Sequence, residues 1–198
     1  MPGSSQIPLQ VTSPVPLVIL PGVHCQQFTG EFLAVLQRLI TPQEIYTFST
    51  TAESPAYSSV SILGFFRDRI TIRSTPILVI AFSAGVAGAI PALNFWQLEG
   101  GKVAGLVAID GWGVPAVGDF PIYRLSHDYF THWSSALLGT GKVNFYADPP
   151  VEHLQLWRSP HTCPGWQVTH DQTASSPRIP MTALDFLVSV IDQTNYSK

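Results

Sequence analysis

Ser83, Asp148 and His170 are the side-chain types needed for nucleophilic catalysis, and they follow one another along the chain as serine, carboxylate and imidazole. A serine hydroxyl attacks a carbonyl poorly unless a base removes its proton, and neutral imidazole suits that task near pH 7. A buried carboxylate then fixes the imidazole tautomer and stabilises the imidazolium that forms. Ser83 lies in the stretch 77–88, I-L-V-I-A-F-S-A-G-V-A-G, where an apolar run stops at a serine set among very small residues. A serine there can also cap the following helix. A cap alone does not require small residues on both sides.

Other residues compete for two of these roles. Asp110 also follows an apolar run, a more convincing one than the run before Asp148, and is the alternative acid. Asp171 adjoins His170, and adjacent side chains rarely point the right way to pair. His161 is the alternative base. His24 precedes the serine and reads as a site-lining residue, while His127, His132 and His153 read as structural or surface residues.

The elements that must position these groups follow from periodicity. Leu17–Leu20, Glu44–Ser49, Ile77–Ala81, Val103–Ile109, Val143–Ala147 and Gly165–Thr169 read as six strands, several of them short continuous apolar runs. Helical spacing occupies 28–40, 60–70, 84–98, 151–158 and 184–191, with Leu184, Leu187, Val188 and Ile191 forming one stripe. Alternating strands and helices imply an α/β protein, with a mostly parallel sheet of about six strands covered on both faces. Ligands bind such sheets at the carboxyl ends of the strands. Ser83, Asp110, Asp148 and His170 all fall just after a strand.

The signature of a strand that reverses into a helix around a nucleophile is G-x-S-x-G. Here it reads Ala81-x-Ser83-x-Gly85, with a methyl group at the first small position, and Ala87 and Gly88 are expected to let the next helix pack closely on the sheet. On this turn, its strand context and the order of its partners, nearly the whole chain resembles a small serine hydrolase of the α/β-hydrolase superfamily without a large lid. The resemblance implies Ser83 as nucleophile, Asp148 as acid and His170 as base. It also implies an oxyanion hole from the backbone N–H groups of Ala84 and of Val23, in the loop after the first strand. No metal and no cofactor are expected, and the substrate is a small-molecule carboxylic ester or thioester. A non-catalytic relative that only binds ligands is the alternative.

Composition limits the remaining classes. The 198 residues are 45% hydrophobic and 12% charged, with net charge −3, which fits one globular domain over residues 1–198. That balance offers no basic face for nucleic acid. Pro16–Leu20 is too short to span a membrane. Two cysteines, Cys25 and Cys163, form neither a disulfide framework nor a C-x-x-C pair, so a reduced, cytoplasmic setting is expected. Ser83-x-Gly85-x-x-Gly88 and Gly139-Thr140-Gly141-Lys142 are similar to nucleotide loops, yet each lacks a required glycine, and Val143 replaces the hydroxyl residue after the lysine. The aromatic segment 112–140, with Trp112, Phe120, Tyr123, Tyr129, Phe130 and Trp133, reads as a small cap walling the site or as ordinary core packing.

Overall fold

The computed structural model describes residues 14–40, 44–169 and 178–196. Strands β1 (Leu17–Leu20), β2 (Ile45–Thr47), β3 (Ile77–Phe82), β4 (Val103–Ile109), β5 (Ile122–Ser126), β6 (Val143–Ala147), β7 (Pro164–Thr169) and β8 (Ile179–Thr182) form one sheet. Their order is β2-β1-β3-β4-β5-β6-β7-β8. The first six run parallel, and β7 and β8 are antiparallel to their neighbours. Helices α1 (Gln26–Leu36), α2 (Ser59–Arg69), α3 (Ala84–Leu98), α4 (Tyr129–Ala136), α5 (His153–Arg158) and α6 (Ala183–Tyr196) connect and cover them.

The sheet therefore has eight strands rather than six, and both additions have a physical cause. β5 reads Ile-Tyr-Arg-Leu-Ser, and every one of its residues is buried, Arg124 included. Sequence periodicity cannot identify a strand that buries a guanidinium. The burial is possible because Arg124 Nε donates to the Gly139 carbonyl (2.9 Å) and Nη2 to the Val114 carbonyl (3.0 Å). β8 contains Pro180 and sits at the sheet edge beside β7, where a missing ladder donor is tolerated. The segment 112–140 is thus not all cap. Its middle is a sheet strand, flanked by an irregular loop and by α4.

The central strands are apolar on both faces, and their alternation appears only in how they divide between two cores. Leu17, Ile19, Leu78, Ile80 and Phe82 face α1, α5 and α6 with Phe32, Trp157 and Phe186. Val18, Leu20, Val79 and Ala81 face α2 and α3 with Ile62, Phe66, Leu93 and Trp96. Burying each such side chain stabilises the fold by roughly 1.5–3 kcal/mol. Trp157 is fully buried and stacks between Phe32 (4.1 Å) and Phe82 (5.0 Å), which locks α5 onto the end of β3. Gly88 serves helix packing rather than sheet packing: a Cβ there would lie 2.6 Å from the Ile62 side chain and 2.8 Å from the Ala56 carbonyl.

The chain moves from β1 to β2 on one side and from β3 to β4 on the other. α1 covers one face and α2 and α3 the opposite one. The loops after β1 and β3 therefore lead to opposite faces of the sheet at this switch of direction, the end of an open α/β sheet where ligands are taken.

Candidate active site

Ser83 stands at this switch point. It joins β3 to α3 with φ 51° and ψ −119°, a left-handed conformation rare for a residue with a side chain. Such a conformation persists only where the surroundings enforce it. Gly85 shows how: a Cβ there would lie 2.6 Å from the Leu20 carbonyl oxygen and 2.7 Å from that of Pro21. Ala81, fully buried, pairs with Leu20 and Ala108 on the two neighbouring strands. Ser83 occupies the N-cap position of α3, yet its side chain makes no capping hydrogen bond. The helix-cap role is therefore not what this serine performs, and its hydroxyl faces a cavity of about 530 Å³ whose wall includes Ser83, Asp110, His127 and His153.

The carboxylate on this wall is Asp110. It follows β4 in a second left-handed turn, φ 49°, with its side chain 1% exposed. Oδ1 accepts the His127 backbone N–H (2.9 Å), and Oδ2 meets His127 Nδ1 (3.0 Å) and His153 Nδ1 (2.7 Å). A carboxylate only accepts, so both rings carry a proton on Nδ1, and each neutral ring keeps a lone pair on Nε2. Burial pushes the Asp110 carboxyl up and is the largest single influence, but the hydrogen bonds from His127 and His153 outweigh it and hold the group below its usual value. The same hydrogen bond raises His127 against its own burial, and Asp128 and Glu152 add to the effect.

The two histidines differ in what remains free. His127 Nε2 lies 3.6 Å from Asp128 Oδ2, so protonated His127 sits between two carboxylates. Asp128 is also the N-cap of α4, accepting from Thr131 N–H at 2.6 Å. His153 opens α5 and stacks on Phe82, the residue before Ser83, at 4.6 Å. Its Nε2 makes no hydrogen bond among the described residues.

The loop after β1 closes the other side of the elbow. A Cβ at Gly22 would lie 2.9 Å from the Phe82 carbonyl oxygen and 3.1 Å from Ser83 Cβ, so only glycine lets this loop lie against the serine. Val23 follows in that loop and is exposed. Ala84 opens α3 and lines the cavity, and the first N–H groups of a helix lack intrahelical acceptors. Trp112 and Phe130, both largely exposed, contribute to the apolar part of the wall with Ala84, Ala87 and Val114, and Trp112 Nε1 donates to Ser134 Oγ of α4 at 3.0 Å.

Asp148 lies apart from this constellation: it is exposed, and its carboxylate accepts from Trp166 Nε1 at 2.9 Å. His170 lies outside the described residues. His24 packs its ring near Phe28, Phe82 and Trp157, and His161 is exposed in a short 3₁₀ turn. His132 is buried in α4 against Tyr146, and burial, with Arg124 and Arg178 nearby, pushes it down to about 4. The side chains gathered with Ser83 thus include two histidines that sequence reasoning set aside. Finding His127 required recognising β5, since it then becomes a strand-end residue level with Asp110. Finding His153 required reading past Asp148-Pro149-Pro150 to the first residue of the next helix.

No family model matches the sequence, and no curated protein matches it. Thirteen chains of solved structure match the fold. One is YbtT, a type II thioesterase from the yersiniabactin NRPS/PKS biosynthetic pathway, which superposes with a TM-score of 0.52 at 13% identity, covering 77% of this chain and 92% of that one. No described helix is long and apolar enough to cross a membrane. The sheet order, the strained serine turn and this likeness together establish an α/β-hydrolase-like fold.

Proposed function

We propose that the chain is a serine hydrolase of thioesters or carboxylic esters, with Ser83 as nucleophile, His153 as base and Asp110 as acid. The observation that carries this reading is the uncommitted Ser83 hydroxyl, held in a strained turn on the same cavity wall as a buried Asp110–His153 pair. His153 takes the Ser83 proton at Nε2 as Oγ attacks the acyl carbon. The carbonyl oxygen becomes an oxyanion, received by the N–H groups of Ala84 and Val23. Collapse expels the thiol or alcohol, which leaves with the proton from His153. Water then attacks the acyl-enzyme by the same route, releasing the carboxylic acid and restoring Ser83. The thioester preference rests on the fold shared with a type II thioesterase. His127 acts as a positioning residue: its two bonds to Asp110 fix the carboxylate and keep it ionised.

Fluorophosphonate labelling tests the assignment. Label is expected on Ser83 and is expected to vanish in Ser83→Ala and His153→Ala while surviving in His170→Ala. Loss in His170→Ala with retention in His153→Ala would return the base to His170, and with it the acid to Asp148.

A metal-assisted hydrolase is a second reading, because donor atoms of Asp110, His127 and His153 lie within 4.8 Å of one another. Against it, both Nδ1 atoms meet the same carboxylate oxygen at hydrogen-bond distance. Under the serine reading zinc ions inhibit and chelators do nothing; the metal reading requires the reverse.

A further inference from the structure

The cavity that Ser83 faces is lined by two carboxylates, Asp110 and Asp128, and by no Lys or Arg. Arg124 lies behind this wall, its guanidinium bonded to the carbonyls of Val114 and Gly139. The two carboxylates differ in what they have left to accept. Asp110 has a side chain only 1% exposed, and its oxygens already take three hydrogen bonds. The Asp128 side chain is 25% exposed, and Oδ1 alone is engaged, by the Thr131 N–H at 2.6 Å. Oδ2 lies 3.6 Å from His127 Nε2, beyond hydrogen-bond distance, and accepts no hydrogen bond among the described residues. Trp112 and Phe130 line the same cavity, and Trp112 is held there by its bond to Ser134 Oγ.

A carboxylate oxygen with spare lone pairs, set among aromatic rings, suits a cation. The oxygen accepts from its N–H groups, and ring faces attract its charge. An anionic group would meet two carboxylates and no counter-charge on this wall. Position adds a length. Ser83, Asp110 and Asp128 follow β3, β4 and β5, three successive strands of the sheet. At about 4.8 Å per strand, Asp128 emerges about 10 Å from the serine. That is too far to meet an amine on the carbon beside the scissile carbonyl, and within reach of one at the far end of a six-carbon chain. We infer that this cavity takes the acyl group of the substrate, and that the acyl chain ends in an ammonium seated on Asp128 Oδ2 beside Trp112 and Phe130. The inference rests on the serine-hydrolase reading. It gives Asp128 a part in choosing the substrate and none in moving protons.

Thioesters of one simple thiol test it, with 6-aminohexanoyl, 6-hydroxyhexanoyl, 2-aminohexanoyl and adipoyl as acyl groups of equal chain length. The 6-amino ester is expected to exceed the 6-hydroxy ester about 10-fold in kcat/KM, the combined size of a screened ion pair and a cation–π contact. The adipoyl ester should be slowest. In Asp128→Asn, which keeps the helix cap, the 6-amino advantage should fall close to parity and the adipoyl ester should gain, while the 2-amino ester keeps its standing against the 6-hydroxy ester. Equal wild-type rates for the 6-amino and 6-hydroxy esters would overturn the inference while leaving the serine chemistry standing. So would a uniform loss across the panel in Asp128→Asn, the mark of a residue that only holds the fold. Should no ester turn over, ligand-observed NMR with 6-aminohexanamide and 6-hydroxyhexanamide decides: binding of the amine alone, weakened in Asp128→Asn, upholds the site, and equal, unchanged or absent binding removes it.

Discussion

Two turns in this molecule share a positive φ and differ in what the side chain does. Ser83 follows β3 with φ 51°, and Asp110 follows β4 with φ 49°. β3 and β4 are paired neighbours, so both residues emerge at the same end of the sheet. The Ser83 hydroxyl makes no capping bond, whereas the Asp110 carboxylate accepts three hydrogen bonds and is almost wholly buried. One device, a turn of positive φ, thus leaves a hydroxyl uncapped at one position and immobilises a charge at the other. Backbone strain alone does not mark a nucleophile. Strain together with an uncommitted side chain is what supports the nucleophile proposed at Ser83.

Breaking the charge at the second turn has the largest expected effect. Asp110→Asn should lower turnover by about 10⁴-fold, because the imidazole loses its tautomer and its counter-charge. Asp148→Asn should stay within a few-fold, and steady-state kinetics on one ester settle the contrast. The next effect concerns a histidine with no carboxylate. His132 is held at about 4 in the fold and near 6.5 when unfolded, so the unfolded chain binds more protons between those values. Stability should therefore fall by about 3 kcal/mol as pH drops from 6.5 toward 4, and His132→Phe should flatten that slope in denaturant titrations.

Glycine at each turn sharpens the comparison further. Ser83→Gly relieves the turn at no loss of hydrogen bonding and should stabilise the protein by about 1 kcal/mol while abolishing activity. Asp110→Gly relieves the same strain but strips the partner from two imidazoles, and should destabilise by about 1–2 kcal/mol. The smallest effect belongs to His127. Its folded value is raised, so its contribution is complete below about pH 6.5 and disappears as pH rises through the folded value. The stability lost in His127→Gln should accordingly be greatest in mild acid and shrink toward alkaline pH, amounting to less than about 1 kcal/mol after solvent screening.

Much of this fold is legible in the sequence because its central strands are continuous apolar runs and its helices carry clear stripes. Leu17–Leu20, Val103–Ile109 and Val143–Ala147 fall on observed strands, and Ile77–Ala81 stops one residue short of Phe82. β5 escaped because Arg124 is satisfied by carbonyls at positions 114 and 139, which no local pattern can reveal. The serine turn was legible for a steric reason: Ala81 and Gly85 are small because two backbones pass beside them. The acid and base proposed for it were harder to read. A strand end carries a polar residue often enough that Asp110 and Asp148 look alike in a list, and only the pairing geometry separates a carboxylate locked by two imidazoles from one resting on an indole.

The Arg124 side chain also bears on how the molecule comes apart. Among the described residues, the guanidinium of Arg124, buried at 4% exposure, has no carboxylate bonded to it, only the Val114 and Gly139 carbonyls. Release of either loop would leave a buried cation short of an acceptor, so melting of the loop that carries Val114 into the cavity wall is expected to loosen β5 as well. Wall and sheet are therefore expected to unfold together. On heating, loss of catalytic competence and loss of secondary structure should coincide in a single transition, with no intermediate that keeps the sheet and has lost the pocket.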